Sequence, residues 1–77
     1  MNQIPTFADV CDAAKQIAPY AHRTVVLESP SLNRYLGRTV RFKSEHTQVI
    51  GAFKFRGAFN AISRLSQQQL KAGVITY

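Results

Sequence analysis

Gly51-Ala52-Phe53-Lys54-Phe55-Arg56-Gly57-Ala58 sets one lysine between two phenylalanines, with a glycine at the head of the run and another behind it, where a helical pattern begins. A lysine amine becomes a nucleophile toward carbonyl carbon when a desolvated setting disfavours its ammonium form. Phe53 and Phe55 are the residues available to supply that setting. By spacing alone the lysine reads equally as a solvated residue whose stem lies on apolar surface.

Behind Lys54, the residues Phe55, Ala58, Phe59, Ile62 and Leu65 recur at helical spacing and predict an apolar stripe that packs as core. Phe53 precedes the stripe and is freer to face a site. Ser66 opens a capping box with Gln69, so a second short helix is expected to run toward Lys71 and stop at Gly73. Gly73-Val74-Ile75-Thr76-Tyr77 reads as a strand cut off in progress.

Ahead of the lysine, Thr6 caps a helix with Asp9 in its first turn, carrying Phe7, Val10, Cys11, Ala14, Ile17 and Ala18 at helical spacing and ended by Pro19. Thr24 to Glu28 is rich in β-branched residues and reads as a short extended segment. Ser29 caps a short helix with Pro30 at its first position and Gly37 beyond its end. Thr39 to Glu45 alternates, with Val40, Phe42 and Ser44 opposite Arg41, Lys43 and Glu45, which predicts a half-buried strand followed by a loop over residues 46–51. This order of helices and strands points to an α/β unit with a partly parallel sheet.

The segment from Val40 through Lys43, Ser44 and Glu45 to Gln48, followed by Gly51 to Ile62, resembles the serine/threonine dehydratase family, which includes serine racemases and hydroxyaspartate dehydratases. The resemblance runs from about Phe7 to Tyr77 and departs at Thr24-Val25, where the family has Thr-Pro. It implies the tryptophan synthase beta-like, fold type II architecture and pyridoxal 5'-phosphate as cofactor. Within the family's strand, Lys-x-Glu, Gln and Ser/Ala-Phe-Lys-x-Arg-Gly-Ala pattern, the cofactor lysine falls on Lys54, and Phe53 becomes the wall near the cofactor ring. Lys54 is then both catalytic and cofactor-binding, and the parent acts on a small hydroxy amino acid as a homo-oligomer.

With 77 residues, the chain is shorter than a typical domain of about 100 to 150 residues and holds only a small core. Residues 1–77 are therefore expected to form an incomplete amino-terminal piece of that fold, a partial enzyme domain ending after the helix that follows the cofactor lysine. The phosphate cradle, the residue facing the ring nitrogen and most of the substrate pocket are expected in family segments that do not occur in this sequence. Three function classes follow: a dehydratase fragment inactive alone, whose parent releases keto acid and ammonia or acts as a serine racemase or hydroxyaspartate dehydratase; a small non-catalytic interaction module; and a basic nucleic-acid binder.

Nucleic-acid binding is disfavoured despite a formal charge of +6 and a pI near 10.1, because the ten basic residues are scattered and form no block. Hydrophobic residues make up 45% of the chain without any run approaching the ~20 apolar residues of a membrane span. Met1 to Pro5 lacks the layout of an export signal, so a cytoplasmic location is expected. The single Cys11 reads as a buried small side chain. His22 and His46 have no ligands at metal spacing, so no metal is expected. Arg56 reads as a structural ion pair or helix-end residue ahead of a substrate clamp, and Lys43 and Glu45 as part of a charged strand face.

Overall fold

The computed structural model describes residues 3–77. Met1 and Asn2, part of the opening read against an export signal, lie outside them. The element order is α1 (Phe7–Ile17), β1 (Val26–Glu28), α2 (Pro30–Leu36), β2 (Arg41–Lys43), two single-turn 3-10 helices (Glu45–Thr47 and Val49–Gly51), α3 (Lys54–Ile62) and α4 (Gln67–Ala72). These divide into two compact units, one formed by residues 1–20 and 56–77 and the other by residues 21–55.

In the first unit, α1 starts where local chemistry says it must. The Thr6 hydroxyl accepts the Asp9 N–H at 3.3 Å while the Asp9 carboxylate accepts the Thr6 N–H at 2.7 Å, satisfying two N–H groups that the first turn leaves orphaned. Ser66 and Gln69 build the same reciprocal box at α4, and Gly73 closes that helix at φ 84°. Gln16 donates to the Ser63 hydroxyl at 2.9 Å, Arg64 pairs with Asp12 at 2.7 Å, and the rings of Tyr20 and Phe59 lie 4.6 Å apart. Among the described residues Ile17, 8% exposed, is the one buried hydrophobic side chain.

That thin interior overturns two expectations. The stripe behind Lys54 is not core: Phe55, Phe59 and Leu65 are half-buried, and Ala58 and Ile62 are exposed. Cys11 is exposed rather than buried. Periodicity orients an apolar face, but burial needs a second surface against it, and so short a chain has little to offer. Residues 73–77 form no strand, and Ile75 and Tyr77 are exposed.

The second unit holds the sheet, and its two strands run antiparallel, with Val26 opposite Lys43, Leu27 opposite Phe42 and Glu28 opposite Arg41. The expectation of a partly parallel sheet is therefore wrong for the described strands, and α2 shows why. Ser29 caps that helix through the Leu32 N–H at 3.2 Å, and Gly37 ends it in the left-handed region at φ 65°. Asn33 then ties both of its flanks together: its amide donates to Glu28 at 2.8 Å and its carbonyl oxygen accepts the Val40 N–H at 2.9 Å. The chain re-enters the sheet beside the point where it left, which forces opposite strand directions. Opposed Glu28 and Arg41 meet at 3.3 Å across this junction.

No helix among the described residues is long and apolar enough to cross a membrane.

Candidate functional site

The interior of the second unit is polar. Thr24, Ser44 and Gln48 are its buried residues, and Gln48 is only 3% exposed. A buried carboxamide is costly unless each of its groups is bonded. Gln48 meets that demand by treating a distant backbone as a strand partner: its Oε1 accepts the His22 N–H at 2.7 Å and its Nε2 donates to the His22 carbonyl at 2.8 Å. The same Oε1 accepts the Val49 N–H at 2.9 Å.

Two charged residues converge on neighbouring Thr24. The Glu45 carboxylate accepts the Thr24 hydroxyl at 2.5 Å, and Lys43 Nζ donates to the Thr24 carbonyl at 3.0 Å. Reading Lys43 and Glu45 as a solvated strand face thus needs correction: they share a side, as alternation requires, and that side clamps Thr24. The Ser44 N–H continues the pairing to the Val25 carbonyl at 2.9 Å, leaving the buried Ser44 hydroxyl without a partner among the described atoms.

From this anchor the chain turns sharply toward the lysine. What was expected as a loop over residues 46–51 is a pair of tight turns, closed by Gln48 N–H to the Glu45 carbonyl at 3.1 Å and Gly51 N–H to the Gln48 carbonyl at 2.7 Å. Ile50 sits at φ 64° and ψ 3°, and Gly51 follows at φ 71°. Glycine adopts that region freely, whereas a β-branched residue there loses about 1–2 kcal/mol. Ile50 gains little burial in return, since it is 74% exposed. Its dihedral is held by the bonds on either side of it.

The left-handed pair redirects the backbone through extended Ala52 at φ −151° into Phe53 and then Lys54, the first residue of α3. Lys54 is exposed, as the sequence placed it, at the start of a nine-residue helix with no acidic side chain in its first turn. Phe53 beside it is 68% exposed. These two residues therefore do not make a desolvated pocket by themselves. An accessible amine next to an accessible aromatic face fits the aldehyde end of a planar carbonyl cofactor, and the positive end of a helix suits an anionic group nearby.

Arg56 belongs to the other unit, where it is half-buried and lines a hollow of about 290 Å³ with Val10, Ile17 and Asn60. His46 is exposed on the first 3-10 turn, and His22 contributes its backbone to Gln48. Among the described residues no group of three or more His, Cys, Asp or Glu side chains is arranged to hold a metal ion. Sequence reading missed the buried network of Thr24, Glu45 and Gln48. Its visible signal was the pair Glu45 and Gln48, three residues apart at the end of a strand pattern.

The chain matches no family model. It is similar over 74 residues, at 49% identity, to the L-threo-3-hydroxyaspartate ammonia-lyase of Saccharomyces cerevisiae, an alignment covering 96% of this chain and 23% of that protein. Similarity to the serine racemase of Schizosaccharomyces pombe is 47% over the same share of each chain. The solved structure of maize serine racemase superposes with a TM-score of 0.76 at 44% identity, covering 83% of this chain and 20% of that one. The chain thus spans about a quarter of the length of the curated relatives it matches, and its local architecture is part of the α/β fold that the maize enzyme carries.

Proposed function

We propose that this chain, a relative of the serine racemases and hydroxyaspartate ammonia-lyases, is the lysine-bearing part of a pyridoxal-phosphate enzyme that acts on small hydroxy amino acids. Lys54 is the residue that attaches the cofactor, and Phe53 is the aromatic face beside its ring. The observation carrying this reading is the exposed amine of Lys54 at the head of α3, reached through a hydrogen-bonded turn that ends in the family's lysine motif.

Pyridoxal phosphate, when bound, withdraws electrons from the α-carbon of an attached amino acid and so acidifies its C–H. Lys54 holds the cofactor until the substrate amine replaces it, and its freed amine then accepts the α-proton. Phe53 covers apolar ring surface. The net reaction proposed for the parent converts a hydroxy amino acid to a keto acid and ammonia. Racemisation is the alternative, in which a second acid returns the proton to the opposite face.

The 77-residue chain alone is proposed to lack turnover, since Lys54 and Phe53 remain open to water. Mixing it with pyridoxal phosphate should give the absorbance band of lysine-bound cofactor, weakened in Lys54→Ala, without keto acid release from serine, threonine or 3-hydroxyaspartate. A band of equal strength in Lys54→Ala overturns the assignment, and keto acid release at enzyme-like rates overturns the proposed inactivity.

A non-catalytic interaction module is the second reading, favoured by the exposed Val74, Ile75 and Tyr77. Co-purification with a full-length relative from cells expressing both chains supports it. A chain that stays alone beside that relative counts against it.

A further inference from the structure

We propose that Gln48 is a positioning residue for Lys54: its buried carboxamide locks the turn that aims the head of α3. The proposal rests on the reading of Lys54 as the cofactor attachment point.

Both backbone groups of Gln48 and both ends of its side chain are engaged. Its N–H bonds back to Glu45 and its carbonyl bonds forward to Gly51, so it belongs to both turns. Its Oε1 holds the first N–H of the second turn, at Val49, and together with Nε2 it pins that turn to His22. The strained dihedral of Ile50 lies inside the span so fastened, and Lys54 follows Gly51 by three residues. Without the carboxamide, little remains to keep a β-branched residue left-handed, and relaxation of Ile50 would turn the peptide planes leading to Lys54.

Nothing in this arrangement resembles ordinary core packing. Gln48 is more buried than Ile17, the chain's one buried hydrophobic residue among those described, yet it joins turns and contributes no apolar bulk. Exposed Phe53 and Lys54 gain no rigidity from burial, so their direction is set by the backbone behind them.

The chain carries its own controls. Lys15 and Lys71 lie in the last turns of α1 and α4, whereas Lys54 opens α3. A helix start attracts an anion and a helix end repels it. Pyridoxal phosphate at limiting concentration is added to the full chain, so that a lysine nitrogen replaces the aldehyde oxygen and water leaves; borohydride then supplies the hydride that fixes the bond. Peptide mass spectrometry reports the label on each lysine. The expected wild-type result is enrichment at Lys54 over Lys15 and Lys71 of about threefold, within the range that helix-end electrostatics supplies.

In Gln48→Ala the enrichment should fall to parity, while labelling of Lys15 and Lys71 and the helical circular dichroism signal stay unchanged. A purely structural role would lower all sites' order together and would not redistribute label. If Gln48→Ala loses helical signal, the isosteric Gln48→Glu, which removes only the donor half, is read instead: reduced enrichment supports the proposal and full enrichment overturns it. Enrichment that survives Gln48→Ala overturns positioning alone. A wild-type chain with no enrichment at Lys54 overturns the functional reading and this proposal together.

Discussion

The side chain of Gln48 and the backbone of His22, 26 residues earlier, exchange two hydrogen bonds of 2.7 and 2.8 Å, as neighbouring strands do. One residue thereby substitutes for a strand pairing at the edge of a short sheet. Removing it leaves both His22 backbone groups without these partners, and an unsatisfied buried group costs about 1–3 kcal/mol. Gln48→Ala should lower the urea midpoint of the second unit accordingly. Hydrogen exchange at the His22 amide should accelerate before that at α1 and α4, and unchanged protection there would contradict the pairing.

Ile50 offers the opposite sign. Its left-handed backbone costs about 1–2 kcal/mol, while glycine at this point forfeits about 0.5–1 kcal/mol of unfolded-state entropy. The exposed side chain gives up little burial. Ile50→Gly should therefore stabilise the chain by roughly 0.5 kcal/mol, a difference of the two opposing terms. A lower urea midpoint would mean that the Ile50 side chain has contacts worth more than its strain.

Lys54 is expected to be dispensable for folding. It is exposed, and surface substitutions away from special features usually stay within about ±0.5 kcal/mol. Lys54→Ala should leave the urea midpoint in place while removing the absorbance band formed with pyridoxal phosphate. Loss of both would assign the residue to structure.

The α1 cap makes a pH prediction. The Asp9 carboxyl lies below its ordinary value of 3.8 because it accepts the Thr6 backbone N–H and, secondarily, the Thr6 hydroxyl. A depressed folded-state pKa contributes stability that is fully present above 3.8 and lost as pH falls through the lower folded value. Helical circular dichroism should thus decline on acidification below that point. Asp9→Asn should remove most of this decline, and an identical acid profile in the variant would refute the cap's part in it.

Cys11 gives a direct check on the exposed face of α1. Its thiol should react completely with a disulfide reagent without denaturant, and urea should not accelerate the reaction. Strong acceleration would restore the buried reading.

What the sequence disclosed was mostly local chemistry. Thr6 with Asp9, Ser29 with Pro30 and Gly37, and Ser66 with Gln69 and Gly73 each mark a helix end where they were expected, because a cap is completed within a few residues. Lys54 at the head of α3 was legible for the same reason. Strand direction was not, since alternation is identical in either sense and the deciding contacts came from Asn33. Ile50 gave no warning, because β-branched residues signal the opposite backbone preference. Burial of the α3 stripe and of Cys11 depended on surfaces that no periodicity reveals.

A chain whose described residues hide a single apolar side chain, Ile17, takes little hydrocarbon out of contact with solvent. The heat capacity released on unfolding scales with that hidden area, as does sensitivity to denaturant. Its melting should therefore be broad and its stability curve nearly flat, so that cooling neither rescues nor ruins it.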